Sequence, residues 1–202
     1  MSVTVGVLSV QGDVYENVVA SHEALNEMNI SGDVIPVKTP SAISDVDVMI
    51  IPGGESTTIG LLTLAGDTLA TLGERIRGGM PTLGVCAGLI LLAGDVTDRM
   101  LGGTGQPLLK VLDIKLERNS FGRQRDSFET TLSLEPLGIA DFPGVFIRAP
   151  SITAVSPDID VISVYDNRIV AVRRDNIIGT SFHPELSGST ELHKYLIRMA
   201  TK

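Results

Sequence analysis

The chain has 202 residues, a formal net charge of −8, 43% hydrophobic and 20% charged residues, one cysteine, three histidines and no tryptophan. This length suits a single α/β domain over residues 1–202, and the acidic balance excludes phosphate-backbone binding as its main task, since nucleic-acid readers cluster Lys and Arg. A lone cysteine excludes an internal disulfide and no apolar run approaches the ~18 residues of a membrane span, so a protein of the reducing cytoplasm is expected, with neither nucleic acid nor membrane as partner.

Met1-Ser2-Val3-Thr4-Val5 lacks the basic start and apolar stretch of a secretory signal. Val3 to Val10 is apolar and β-branched, the pattern of a buried parallel strand. Gln11-Gly12 turns the chain, and Asp13-Val14-Tyr15-Glu16 has capping-box spacing, predicting a helix to about Asn29. Strands follow at Asp33 to Val37 and Asp47 to Ile51, the latter ending at Pro52-Gly53-Gly54. Ser56 is placed to cap a helix running to about Arg77, before a fourth strand at Thr82 to Val85. Alternating strands and helices imply a parallel sheet with right-handed crossovers.

From about Lys110 to Gly179 strand signals dominate: Val111 to Glu117, Ser127 to Leu134, Gly144 to Arg148, Val161 to Tyr165, Ile169 to Arg173 and Ile177 to Phe182. Turn signals at Tyr165-Asp166-Asn167-Arg168 and Arg174-Asp175-Asn176 make hairpins of the last three. Thr190 to Met199 reads as an amphipathic helix. The expected fold is α/β, a mixed and mostly parallel sheet with helices on both faces and an antiparallel extension.

Three clusters carry residues suited to chemistry. Cys86 sits in Gly84-Val85-Cys86-Ala87-Gly88, between a strand and an apolar run, with the form of a nucleophile elbow. Such a turn lifts the sulfur out of the sheet toward a helix N-terminus, where the dipole favours thiolate; the alternative is a buried core cysteine. Ser181-Phe182-His183-Pro184-Glu185 follows a strand. Residues two apart on extended backbone share a face, so Glu185 can orient His183 as the base half of a triad; a surface His-Pro turn is the alternative. In Pro52-Gly53-Gly54-Glu55-Ser56 a backbone N–H can pair with that of Ala87 as an oxyanion hole, or the segment is a plain strand-to-helix turn. It is too short for a P-loop. His22 and His193 fall inside helices and read as solvated or packing residues, and one cysteine with scattered histidines gives no structural-zinc spacing.

Together these three segments resemble class I (triad) glutamine amidotransferases, whose fold is three-layered and flavodoxin-like. More narrowly, the chain is similar to the glutaminase-subunit family of pyridoxal 5′-phosphate synthases. That likeness is carried by Gly6-Val7-Leu8-Ser9-Val10-Gln11-Gly12-Asp13, the Gly53 to Gly60 run, Cys86 to Ala93, Glu117-Arg118-Asn119-Ser120-Phe121-Gly122-Arg123-Gln124, Asp126-Ser127-Phe128-Glu129 and Val145 to Pro150. The resemblance implies hydrolysis of glutamine by Cys86, His183 and Glu185. It assigns glutamine binding to Gly53, Gly54, Glu55, Arg118, Ile147 and Arg148, and the oxyanion hole to Gly54 and Ala87. It implies no metal and no cofactor, and a separate synthase subunit as partner in a large hetero-oligomer, receiving ammonia through a protected channel. Thr82-Leu83 and Leu108-Leu109-Lys110-Val111 depart mildly from the family pattern and touch none of these roles. Two alternatives are a triad amidotransferase of another pathway, such as histidine biosynthesis, and a non-catalytic scaffold subunit. The Arg118 to Gln124 and Ile147 to Pro150 segments oppose the first, and the intact Cys86, His183 and Glu185 set opposes the second.

Overall fold

Strand β1 (Val3–Leu8) forms where β-branched residues run uninterrupted; it is buried on both faces and pairs in parallel with β2 (Gly32–Val37) and β3 (Val48–Ile51). It stops two residues short of Val10 because its pairing with β2 ends at Leu8 opposite Val37. The computed structural model describes residues 2–98, 102–120 and 127–201; the Phe121 to Gln124 and Asp126 markers lie outside them. Between these strands run α1 (Val14–Glu27) and the short α2 (Pro40–Ser44), which the sequence reading did not anticipate. Thr39 caps α2 by accepting from the Ala42 N–H, with Pro40 at the first position.

The helix expected from Ser56 to Arg77 is two helices, α3 (Ser56–Thr63) and α4 (Thr68–Arg77). Gly66 and Asp67, with φ of 61° and 62°, take left-handed backbone that ends one and starts the other. The cap of α3 is Glu55, not Ser56: its Oε2 accepts from the Thr58 N–H at 2.7 Å. Strand β4 (Thr82–Val85) leads to α5 (Ala87–Leu92), and the chain continues into β5 (Ala93–Asp98) and β6 (Gly102–Gly103).

Then come β7 (Leu112–Arg118), β8 (Phe128–Leu134), β9 (Ile139–Phe146), β10 (Ser151–Val155), β11 (Asp160–Tyr165), β12 (Arg168–Arg174) and β13 (Ile177–Thr180), closed by α6 (Glu191–Ala200). Strands β5, β6 and β10 were not read from the sequence. Among the described residues the main sheet has eleven strands in the order β2-β1-β3-β4-β13-β12-β10-β7-β5-β6, with β11 beside β12. It is parallel from β2 to β13, then becomes antiparallel through β12, β10 and β7. The β11–β12 and β12–β13 pairs are the expected hairpins, while β8 and β9 form a separate two-stranded sheet. Because β9 ends at Phe146, Ile147 and Arg148 stand beyond it and not within a strand as the sequence suggested.

Two apolar layers sandwich the sheet. Ala24 and Leu25 of α1, and Leu192, Leu196 and Ile197 of α6, pack with Val5, Leu83 and Ile178 on one face; Ile43, Ile59, Leu72, Ile76 and Leu89 pack with Leu8, Met49 and Ile51 on the other. Neighbouring residues of one strand point to opposite layers, the alternation pleated backbone imposes. No helix among the described residues is long and apolar enough to cross a membrane.

Candidate active site

The parallel half of the sheet brings four turns to one edge. The chain leaves β1 at Gln11-Gly12-Asp13, β3 at Pro52 to Glu55, β4 at Cys86 and β13 at Ser181 to Glu185, each beyond a carboxyl end. Strand order reverses between β1 and β3, which makes this edge a topological switch point, the usual place for a ligand crevice in an open α/β sheet. There the described residues form an open cleft, lined among others by Asp13, Gly54, Glu55, Cys86, Ala87 and Arg118, with Ile147, Arg148 and His183.

Cys86 sits at φ 48°, ψ −96°, a backbone conformation that non-glycine residues rarely hold. Its neighbours explain how the turn is accommodated. A Cβ on Gly88 would lie 2.0 Å from the Ile51 carbonyl oxygen, so only glycine lets α5 start this close to β3. The Cys86 N–H donates to the Thr180 carbonyl at 2.7 Å, and the Cys86 carbonyl accepts from the Ile90 N–H at 3.1 Å.

His183 leaves the adjacent strand, three residues past Thr180, and its backbone N–H donates to the Val145 carbonyl at 2.8 Å. Its Nδ1 lies 2.8 Å from Glu185 Oε1. The expected pairing is present, but not along a strand: β13 ends at Thr180, and Pro184–Leu186 form a 3-10 turn that swings Glu185 under the ring. The Glu185 side chain is fully buried, and its Oε2 has no hydrogen-bond partner among the described residues.

Sequence reasoning missed Asp13. It precedes α1 where a capping aspartate would sit, yet its side chain makes no cap; a carboxylate cap is worth about 0.5–2 kcal/mol. Instead Asp13 Oδ2 lies 3.3 Å from His183 Nδ1. No local signal marks this, because the contact spans 170 positions of chain. Burial opposes charging of His183, but hydrogen bonding to Asp13, Cys86 and Glu185 outweighs it and pushes the imidazole pKa up from 6.5 to about 12. The bond to His183 in turn holds the Asp13 carboxyl below its ordinary value, against burial. Asp13, His183 and Glu185 are also the one group of three potential metal donors among the described residues. Both carboxylates there converge on a single ring nitrogen, which then serves as a hydrogen-bond donor rather than a ligand.

The opposite wall of the cleft is polar. Arg118 donates to Glu55 Oε1 at 3.0 Å, to Thr57 Oγ1 at 2.9 Å and to Gln106 Oε1 at 3.1 Å. Burial pushes the Glu55 carboxyl up, but bonds from Thr58 and Thr57 and the Arg118 charge leave it lowered. Gly54, at φ 151°, packs so close to Gln11 that a Cβ would meet its Oε1 at 2.6 Å. The same Gln11 Oε1 accepts from the Glu55 N–H at 2.8 Å. The remaining sequence candidates, Gly53, Ala87, Ile147 and Arg148, lie against or line this space, with Arg148 exposed at φ 45°. His22 is exposed; His193 is fully buried between helices and bonds Asn17 Oδ1 at 3.4 Å.

Known proteins share this architecture. A crystal structure described as a glutamine amidotransferase superposes with a TM-score of 0.85 at 37% identity, over 98% of this chain and 99% of that one. A glutamine amidotransferase from Thermotoga maritima, 13% identical, shares the fold at 0.66. The fold is that of the class I glutamine amidotransferases. The chain is 50% identical over 199 residues to the pyridoxal 5′-phosphate synthase subunit PdxT of Nitrosopumilus maritimus, covering 98% of this chain and 97% of that one. It is 46% identical to the PdxT subunit of Staphylothermus marinus, covering 98% of each. Residues 7–202 match the model of the SNO glutamine amidotransferase family, and the chain belongs to that family.

Proposed function

We propose that this chain hydrolyses L-glutamine to L-glutamate and ammonia as the glutaminase subunit of a pyridoxal 5′-phosphate synthase, with Cys86 as nucleophile, His183 as acid and base, and Glu185 as the group that orients His183. The observation that carries the reading is the meeting of Cys86 and His183 from adjacent parallel strands in one cleft, with Glu185 Oε1 2.8 Å behind the ring.

The thiol passes its proton to the imidazole, and sulfur attacks the side-chain amide carbon of glutamine. The carbonyl oxygen takes up negative charge facing the backbone N–H groups of Ala87 and Gly54. His183 then protonates the departing nitrogen, the C–N bond breaks, and ammonia leaves a thioester on Cys86. Water attacks that carbon as His183 takes its proton; the C–S bond breaks, glutamate departs and the proton returns to sulfur. Glu185 accepts from His183 Nδ1 and holds the ring in one tautomer. The Glu55–Arg118 pair offers an acceptor and a donor 3.0 Å apart, which suits the ammonium and carboxylate of an amino acid. Gly53, Ile147 and Arg148 complete the pocket through backbone and packing.

Ammonia becomes ammonium in water and is lost to a carbonyl acceptor, so a synthase subunit docked over the cleft and fed by a protected channel is part of this reading, in a large hetero-oligomer and a cytoplasmic setting. The Gly53-Gly54 peptide is the element able to switch the oxyanion hole when the synthase docks, since glycine crosses between backbone conformations cheaply. The test is ammonia release from glutamine during titration with a synthase subunit. Wild type is expected to turn over and to rise on titration, while Cys86→Ala and His183→Asn, still assembling, fall by at least about a thousandfold. Unchanged turnover in either variant overturns the assignment.

A further inference from the structure

The Asp13 carboxylate is half-buried at the cleft wall while that of Glu185 is sealed beneath the ring, and both aim at the one Nδ1–H of His183, at 3.3 and 2.8 Å. An imidazole carries one proton at that nitrogen; it is hydrogen-bonded to Glu185 Oε1, and Asp13 Oδ2 makes an ion-pair contact with the same nitrogen from the cleft side. We propose that Asp13 is a second positioning residue for His183, holding the imidazole ring and its Nδ1 proton from the cleft side as Glu185 does from beneath.

Three observations carry this. Asp13 forgoes the helix cap its position offers, and a broken local preference of this kind marks a side chain held for another purpose. Its backbone is pinned independently of its carboxylate: the N–H donates to the Gly53 carbonyl at 3.1 Å, and the carbonyl accepts from Asn17 Nδ2 at 2.8 Å. The space beside the pair admits nothing larger than glycine, since a Cβ on Gly53 would lie 2.4 Å from His183 Cε1 and 2.8 Å from Asp13 Oδ2. The turn after β1 therefore delivers a fixed charge to a base that the sequence places at the far end of the chain. The other charged groups on the shared cleft, Glu55, Arg118 and Arg148, make no ion pair with the ring among the described residues.

The inference rests on His183 acting as the base, and its test separates the two. Asp13→Asn is isosteric and keeps both backbone anchors. In the full chain, free and bound to a synthase subunit, the His183 Nδ1 proton is observed by nitrogen-edited NMR and assigned by its loss in His183→Asn. The expected result for Asp13→Asn is an upfield move of that resonance with faster exchange against water. In the complex kcat falls roughly three- to tenfold and KM for glutamine stays within about twofold. Asp13→Glu, which restores the charge, is expected to recover at least about half of the lost kcat. A resonance unmoved in Asp13→Asn overturns the proposal whatever turnover does, as does a loss of kcat that Asp13→Glu leaves uncorrected. Failure of the base assignment shows separately, as turnover surviving in His183→Asn.

Discussion

The backbone N–H of Cys86 donates to the carbonyl of Thr180 at 2.7 Å. This bond is the last rung between the parallel strands β4 and β13, whose register pairs Val85 with Thr180. It joins a turn at residue 86 to a segment that, three residues later, presents His183. The separation of nucleophile and base is thus set by sheet register.

The strained backbone at Cys86 predicts an inverted order of stability. Alanine normally exceeds glycine, by roughly 0.5–1 kcal/mol, through the entropy of the unfolded chain. At φ 48°, ψ −96° any Cβ carries strain of order 1–3 kcal/mol, which glycine escapes. Both Cys86→Gly and Cys86→Ala lose the sulfur, so the comparison isolates the backbone. Urea denaturation is expected to find Cys86→Gly the more stable by roughly 1 kcal/mol; alanine ahead of glycine would show that the turn carries no strain.

Arg118 predicts a binding phenotype. Its three direct bonds to Glu55, Thr57 and Gln106 need the planar fork of a guanidinium. Arg118→Lys is expected to raise KM for glutamine at least about tenfold with kcat within about threefold. Steady-state kinetics on the assembled enzyme decide it, and an unaltered KM would remove Arg118 from the substrate pocket.

His193 predicts acid sensitivity. Burial lowers its pKa from 6.5 to about 4, so the folded state excludes a proton that the unfolded chain binds. A depressed folded pKa leaves stability intact above about pH 6.5 and removes it as pH falls toward 4, by roughly 3 kcal/mol in all. His193→Gln removes the titrating group. Its Tm is expected to fall less between pH 7 and pH 4.5 than that of the wild type, and equal losses would locate the acid sensitivity elsewhere.

Two glycines predict opposite outcomes. Gly88→Ala drives a Cβ to 2.0 Å from the Ile51 carbonyl, a backbone clash at the start of α5, and is expected to cost more than about 3 kcal/mol or to prevent soluble expression. Gly103→Ala meets no atom of the described residues within 4 Å and is expected to stay within about 0.5 kcal/mol of wild type. Comparable unfolding midpoints for the two variants would contradict the packing described at the elbow.

Much was legible in local patterns. The β-branched run at Val3, the glycine-flanked Cys86 and the Tyr165 to Arg168 turn each announce structure within a few residues, because backbone preference and periodicity act over that range. Where the reading failed, a second element intervened. Asp13 has capping spacing but is drawn to His183; Ser56 yields the cap of α3 to Glu55; Leu92-Ala93 passes from helix to strand with no change in hydropathy, because β7 is there to pair with β5.

The order of residues along the chain was enough to define an alternating α/β fold, a nucleophile on a tight turn and an imidazole two positions from an acid, since each follows from sterics and spacing between near neighbours. The joining of Cys86 to His183, of Glu55 to Arg118 and of Asp13 to His183 arose only on folding. Those pairs are 97, 63 and 170 positions apart in the sequence, and what brings each together is the register and order of strands in one sheet, a property no short stretch of chain possesses.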